Sequence, residues 1–118
     1  MDVIEVREYC LQKKGATEDM PFDDVTLLIR VMNKMFVLIP LDEPFSINLK
    51  CNPERAEELR ERYSSVQPGY HMNKKYWNTV YLDNTEDKLL KEMIDHSYDE
   101  VVRKLSKKER EILNEIEE

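Results

Sequence analysis

From Tyr70 to Leu82 the chain reads Y-H-M-N-K-K-Y-W-N-T-V-Y-L, a run of cations, amides and aromatic rings without a carboxylate. This mixture suits a flat, anionic ligand. Lys74 and Lys75 supply counter-charge to phosphates, Asn73 and Asn78 supply hydrogen bonds, and Tyr70, Tyr76 and Trp77 offer faces on which planar rings can stack. His71 adds an imidazole that either hydrogen-bonds within the segment or takes part in recognition. The acid-free stretch reaches back to Ser64, in a chain whose 25 acidic and 18 basic residues leave a formal net charge of -7. The segment is therefore a local reversal of sign and the natural place to look for a binding surface.

Lys50 can join Lys74 and Lys75, but three cations are a small footprint. At about 0.9 per neutralised duplex phosphate, they predict a slope of log affinity against log salt of only about 2 to 3. The acidic balance of the whole chain also repels polyanions on average. Nucleic-acid binding through this segment is thus expected to be weak and salt-sensitive. For Trp77 the competing role is packing, because large aromatic rings mostly fill cores and rims.

Other chemistry finds little support. Glycine occurs only at positions 15 and 69, so a glycine-rich phosphate loop is missing, and no nucleophile elbow or paired His-Glu metal motif is present. His71, His96, Cys10 and Cys51 show no metal-ligand spacing. The carboxylates Asp2, Glu5, Glu8, Glu18, Asp19, Asp23 and Asp24 read as a solvated face interrupted by Arg7, Lys13 and Lys14. The expectation is a protein that is not an enzyme and uses no cofactor or metal. Two distant cysteines and no secretory signal point to reduced thiols in the cytoplasm. The longest apolar run, Met35 to Leu41, is broken by Pro40 and far too short to span a membrane.

The elements that must position this segment follow from periodicity. Val3, Val6, Tyr9 and Cys10 recur at helical spacing between Asp2 and Lys13, with Gly15 ending the helix. Ala16 to Asp24 is acidic, contains Pro21 and reads as a connecting loop. Val25–Val31 and Met35–Leu41 are strands joined as a hairpin through Met32, Asn33 and Lys34, and Phe45–Lys50 is a third strand with Asn48 and Lys50 on its polar face. Asn52-Pro53-Glu54 is a helix start, and that helix runs to about Tyr63. Gln67-Pro68-Gly69 reads as a turn before a strand from Trp77 to Leu82, with Val80 and Leu82 inward and Trp77 on the opposite face or the rim. Thr85 is the expected cap of a long helix whose stripe comprises Leu90, Met93, Ile94, Ser97, Val101 and Leu105. Ser106 and Glu109 form a capping box that starts a short terminal helix over 106–118 carrying Ile112, Leu113 and Ile116. Helices and strands in this order predict a single α+β domain over 1–118, a two-layer sandwich of an antiparallel sheet with N- and C-terminal helices on one face.

Ordered blocks along the chain carry a family resemblance. They are Arg7-Glu8-Tyr9-Cys10, Lys14-Gly15-Ala16-Thr17-Glu18-Asp19-Met20-Pro21-Phe22, Asn48-Leu49-Lys50-Cys51, Val66-Gln67-Pro68-Gly69-Tyr70-His71-Met72-Asn73-Lys74, Trp77-Asn78-Thr79-Val80 and Ile94-Asp95-His96-Ser97-Tyr98. Together they resemble the MmcQ/YjbR family of small bacterial proteins over nearly the whole length. The resemblance implies a frataxin-like (CyaY-like) sandwich, and it implies DNA binding through a double-wing arrangement of β-hairpins. The expected site is Lys50, Tyr70, His71, Asn73, Lys74, Lys75, Tyr76, Trp77 and Asn78, with DNA as the first expected partner. The alternative is a protein or small-molecule interaction module that uses the same surface and binds no DNA.

Overall fold

The computed structural model describes residues 1–116. Helix α1 (Val3–Leu11) opens on a capping box in which the Asp2 carboxylate accepts Glu5 N–H and the Glu5 carboxylate accepts Asp2 N–H. Among the described residues six strands follow: β1 (Ala16–Asp19), β2 (Thr26–Val31), β3 (Lys34–Pro40), β4 (Ser46–Lys50), β5 (Val66–Pro68) and β6 (Trp77–Tyr81). Helix α2 (Pro53–Arg62) lies between β4 and β5, and α3 (Asp87–Arg103) and α4 (Lys107–Glu115) close the chain. The strands form one antiparallel sheet in the order β1-β2-β3-β4-β6-β5.

Strand pleating divides the sheet into two unlike faces. Val37, Ile47, Leu49 and Val80 share one core with Val6 and Cys10 of α1, Ala56 and Leu59 of α2, Leu90, Ile94 and Val101 of α3, and Leu113 of α4. Successive side chains alternate, so Leu38, Ser46, Asn48, Trp77 and Thr79 lie on the face that carries no helix. The chain is thus the expected α+β two-layer sandwich. Burying each large apolar side chain is worth about 1.5–3 kcal/mol, whereas an exposed pair such as Arg7–Glu18 is screened by water and salt, so this core dominates stability. Ser97 sits within the helix–sheet interface, fully buried, donating to the Phe36 carbonyl at 2.6 Å and accepting Lys50 N–H at 2.9 Å.

Three expectations change. Ala16–Asp19, read as loop, is edge strand β1; Thr17, Glu18 and Asp19 face solvent, so no apolar alternation announces it, and pairing with β2 holds it. The supposed turn at Gln67-Pro68 belongs to edge strand β5, where Pro68, lacking an N–H, is tolerated. Thr85 does not cap α3: Glu86 takes that position, and the Thr85 hydroxyl lies 2.7 Å from the Tyr81 carbonyl and 2.8 Å from the Ser65 hydroxyl. The terminal helix begins at its Ser106 capping box as expected, with Leu113 buried; positions 117 and 118 of that expected helix lie outside the described residues. No helix among the described residues is long and apolar enough to cross a membrane.

Candidate functional site

The segment from Gly69 to Tyr76 folds as a tight loop over Trp77. Gly69 approaches so closely that a Cβ there would lie 2.8 Å from Trp77 Cβ and 2.9 Å from its carbonyl oxygen. Gly69 N–H donates to the Trp77 carbonyl, and the Gly69 carbonyl accepts Met72 N–H and the Lys74 ammonium. Asn73 accepts Lys75 N–H through its side chain and Trp77 N–H through its carbonyl. From α2, Arg60 donates to Asn78 Oδ1 at 2.6 Å and to the carbonyls of Lys74 and Trp77. His71 takes the left-handed backbone conformation, φ 58°, that turns the loop back over the sheet.

The loop forms one wall of a concavity of about 600 Å³ on the helix-free face. Tyr70 and His71, their rings 4.0 Å apart, stand on that wall, and Phe22 from the β1–β2 connection stands in the lining with them. Phe22 is 73% exposed and Tyr70 69%, unusual for large rings. Val25, Thr26, Met35, Leu38, Pro40, Asn48 and Met72 complete the lining, with Asp23 and Asp42. Asp23 is held in place by accepting Val25 N–H and the Thr26 hydroxyl. Below the loop, Tyr70 N–H donates to Thr79 Oγ1 at 2.9 Å, and the Thr79 hydroxyl donates to Asn48 Oδ1 at 2.5 Å.

The nine residues singled out from the sequence therefore separate. Tyr70 and His71 line the concavity. Asn73 and Lys74 are exposed but engaged in closing the loop. Trp77 is only 9% exposed and Asn78 is buried, so neither presents a free face or amide. Lys50, Lys75 and Tyr76 gather instead near the C-terminal end of α3. Lys50 pairs with Trp77 in register, and the ammoniums of Lys75 and Lys104 lie 5.5 and 5.0 Å from the Tyr76 ring centroid. Burial, then Lys104, hold the Lys50 pKa below its ordinary value.

Sequence reasoning missed Phe22, Asp23, Met35, Leu38 and Asp42 at the concavity, and Lys34, Arg103 and Lys104 beside Lys50. The one local signal was Phe22, a large ring between Pro21 and two aspartates in a stretch read as loop. Asn48 was placed on the correct face, yet it is 3% exposed because the Tyr70 loop covers it.

The thiols offer no nucleophile at neutral pH: burial pushes Cys10 up to about 12 and Cys51 up to about 11. His96 accepts Asn52 N–H through Nε2 at 3.2 Å, which ties α3 to the start of α2. Among the described residues, no group of three or more His, Cys, Asp or Glu side chains is arranged to hold a metal ion.

Comparison with known proteins gives a consistent result. The YjbR family profile matches residues 11–100. The YjbR protein of Escherichia coli strain K12 is 34% identical over 115 residues, covering 96% of this chain and 98% of its own. The YbdF protein of Escherichia coli O157:H7 is 36% identical over 93 residues, covering 76% of this chain and 75% of its own. The crystal structure of Deinococcus radiodurans protein DR2400, with a DUF419 domain, superposes with a TM-score of 0.88 at 40% identity over 95% of this chain and 87% of that one. A Pseudomonas syringae protein structure is similar with a TM-score of 0.72 at 25% identity, covering 82% of this chain and 96% of that one.

Proposed function

The chain belongs to the YjbR family, and with that membership supplying the fold we propose that it is a binding module, not an enzyme, whose open sheet face receives an apolar and basic segment of a protein partner. The observation that carries this is the pair of exposed rings, Phe22 and Tyr70, lining one concavity with Asp23 and Asp42. Rings of this size left in water favour burial against a partner, and the two carboxylates favour cations on that partner. Covering roughly 100 Å² of each ring contributes about 2.5 kcal/mol apiece. Association costs at least about 4 kcal/mol, so contacts with the floor around Leu38 must add to the rings and modest affinity is expected.

Weak, salt-sensitive DNA binding through Tyr70–Asn78 is the less favoured reading. Trp77 and Asn78 are buried, Asn73 is engaged within the loop, and the concavity beside Tyr70 is acidic, so the segment does not offer its lysines, amides and rings together on one surface.

Short synthetic peptides of alternating Leu and Lys, and matched peptides of Leu and Glu, test the proposal when titrated into labelled protein with amide shifts as readout. The Leu-Lys peptide is expected to move the resonances of Phe22, Tyr70 and His71, and Phe22→Ser with Tyr70→Ser to abolish this while changing stability by less than about 0.5 kcal/mol per site. Equal response to both peptides, or to neither, sinks the proposal. Single- and double-stranded DNA, added at low and physiological salt with Trp77 fluorescence and mobility as readouts, separates the two readings: phosphate-driven binding weakens with salt and an apolar contact changes far less.

A further inference from the structure

We propose that the cations gathered around Tyr76 form a phosphate-recognition site, separate from the concavity and independent of the reading above. Four stretches of chain build it. The β2–β3 hairpin contributes Lys34, the end of β4 contributes Lys50, the loop before β6 contributes Lys75, and the last turn of α3 contributes Arg103 and Lys104. Cys51 N–H donates to the Tyr76 carbonyl at 2.7 Å, which holds the Tyr76 backbone against the end of β4, and the ammoniums of Lys75 and Lys104 both lie within 5.5 Å of the ring centroid.

Counter-charge is scarce. Lys34, Lys50, Lys75 and Lys104 have no carboxylate within ion-pair distance among the described residues. Glu100 is already bound to Arg103 at 3.0 Å, and Glu109, which senses Lys34, accepts the Ser106 backbone N–H. Of the five cations only Arg103 is ion-paired among the described residues, in a chain of net charge -7. Lys50 is the centre of this imbalance: it is partly buried, and Lys104, Lys34 and Arg103 all disfavour its charged form. Like charges packed around a partly desolvated ammonium oppose folding, and a multivalent anion removes that repulsion. Phosphate fits better than chloride or a lone carboxylate. Several charged oxygens on one centre accept from several ammoniums and a guanidinium at once, and these charge-assisted bonds are stronger than neutral ones.

The test uses the full chain and inorganic pyrophosphate. Thermal melting with pyrophosphate is compared with sodium chloride of equal ionic strength, and Trp77, the single tryptophan, reports binding by fluorescence through its register neighbour Lys50. At about ten times Kd the midpoint is expected to rise by about 5 °C beyond chloride. Lys50→Gln and Lys104→Gln are each expected to weaken binding about tenfold while melting in chloride at or above the parent; Lys88→Gln, at the other end of α3, keeps the full response. A pyrophosphate shift no larger than that of chloride, or one retained in the Lys50→Gln/Lys104→Gln double variant, overturns the proposal. A short single-stranded oligonucleotide forms the second arm. Tighter binding than pyrophosphate, lost in the same variants, assigns the phosphates to a nucleic-acid backbone, and the reverse order assigns them to a small phosphorylated molecule.

Discussion

The Thr79 hydroxyl donates to Asn48 Oδ1 at 2.5 Å across the β4–β6 pair, on the face that carries no helix. The same oxygen accepts Tyr70 N–H, so one buried hydroxyl joins the floor of the concavity to the loop that walls it. Thr79→Val removes the hydroxyl with little change in shape and leaves two polar groups unpaired. The expected loss is about 1–3 kcal/mol, read by urea unfolding, together with faster amide exchange at Tyr70. Parent-like exchange at Tyr70 would show that the loop is held without this bond.

Trp77 packs beneath the Gly69–Tyr76 loop, so its substitution should register as a packing loss. Trp77→Ala is expected to destabilise by about 3–5 kcal/mol. A ring serving mainly as an exposed stacking platform would lose less than about 1 kcal/mol, and equilibrium denaturation separates the two values.

Gly15 combines a backbone φ of 73° with a site where a Cβ would lie 2.6 Å from Leu113 Cδ1 and 3.3 Å from Ile116 Cδ1. Gly15→Ala is expected to cost about 1–3 kcal/mol through left-handed strain and displacement of α4. Because the two residues touch, Gly15→Ala and Leu113→Ala should be non-additive in a double-mutant cycle, and additive losses would mean that the clash is not relieved by trimming Leu113.

His96 makes stability depend on pH. Burial first, and Arg55 second, hold its pKa below the ordinary 6.5, and its Nε2 is already accepting Asn52 N–H. As pH falls below 6.5 the unfolded chain takes up the proton more readily than the folded chain, so the stabilisation present above that value is progressively lost. Urea midpoints should fall between about pH 7.5 and 5.5, and His96→Gln should flatten that decline. A slope unchanged in His96→Gln would assign the pH dependence to other groups.

Strong local signals were legible in the chain. Periodicity located α1 and α3, the Asn52-Pro53-Glu54 start located α2, the Ser106–Glu109 box located the start of α4, short β-rich runs located β2 and β3, and alternation located β4 and β6. Strand β1 escaped because an edge strand with solvent-facing Thr17, Glu18 and Asp19 is held by backbone pairing that side chains do not announce. Thr85 was misplaced because its hydroxyl, suited to a cap, found the Tyr81 carbonyl and Ser65 instead.

At the candidate site, the residue types alone determined that Ser64 to Leu82 is cleared of acid and rich in rings and amides, and the family blocks determined the fold. Folding decided which of those groups are available. Whether a strand face is solvated depends on what another segment lays over it, which is why Asn48, Trp77 and Asn78 are buried while Tyr70 and Phe22 are exposed. Electrostatics is likewise a matter of distance through space. Lys34, Lys50 and Lys104 are dispersed along the chain, and only the packing of the β2–β3 hairpin, β4 and the end of α3 brings their charges to bear on one another.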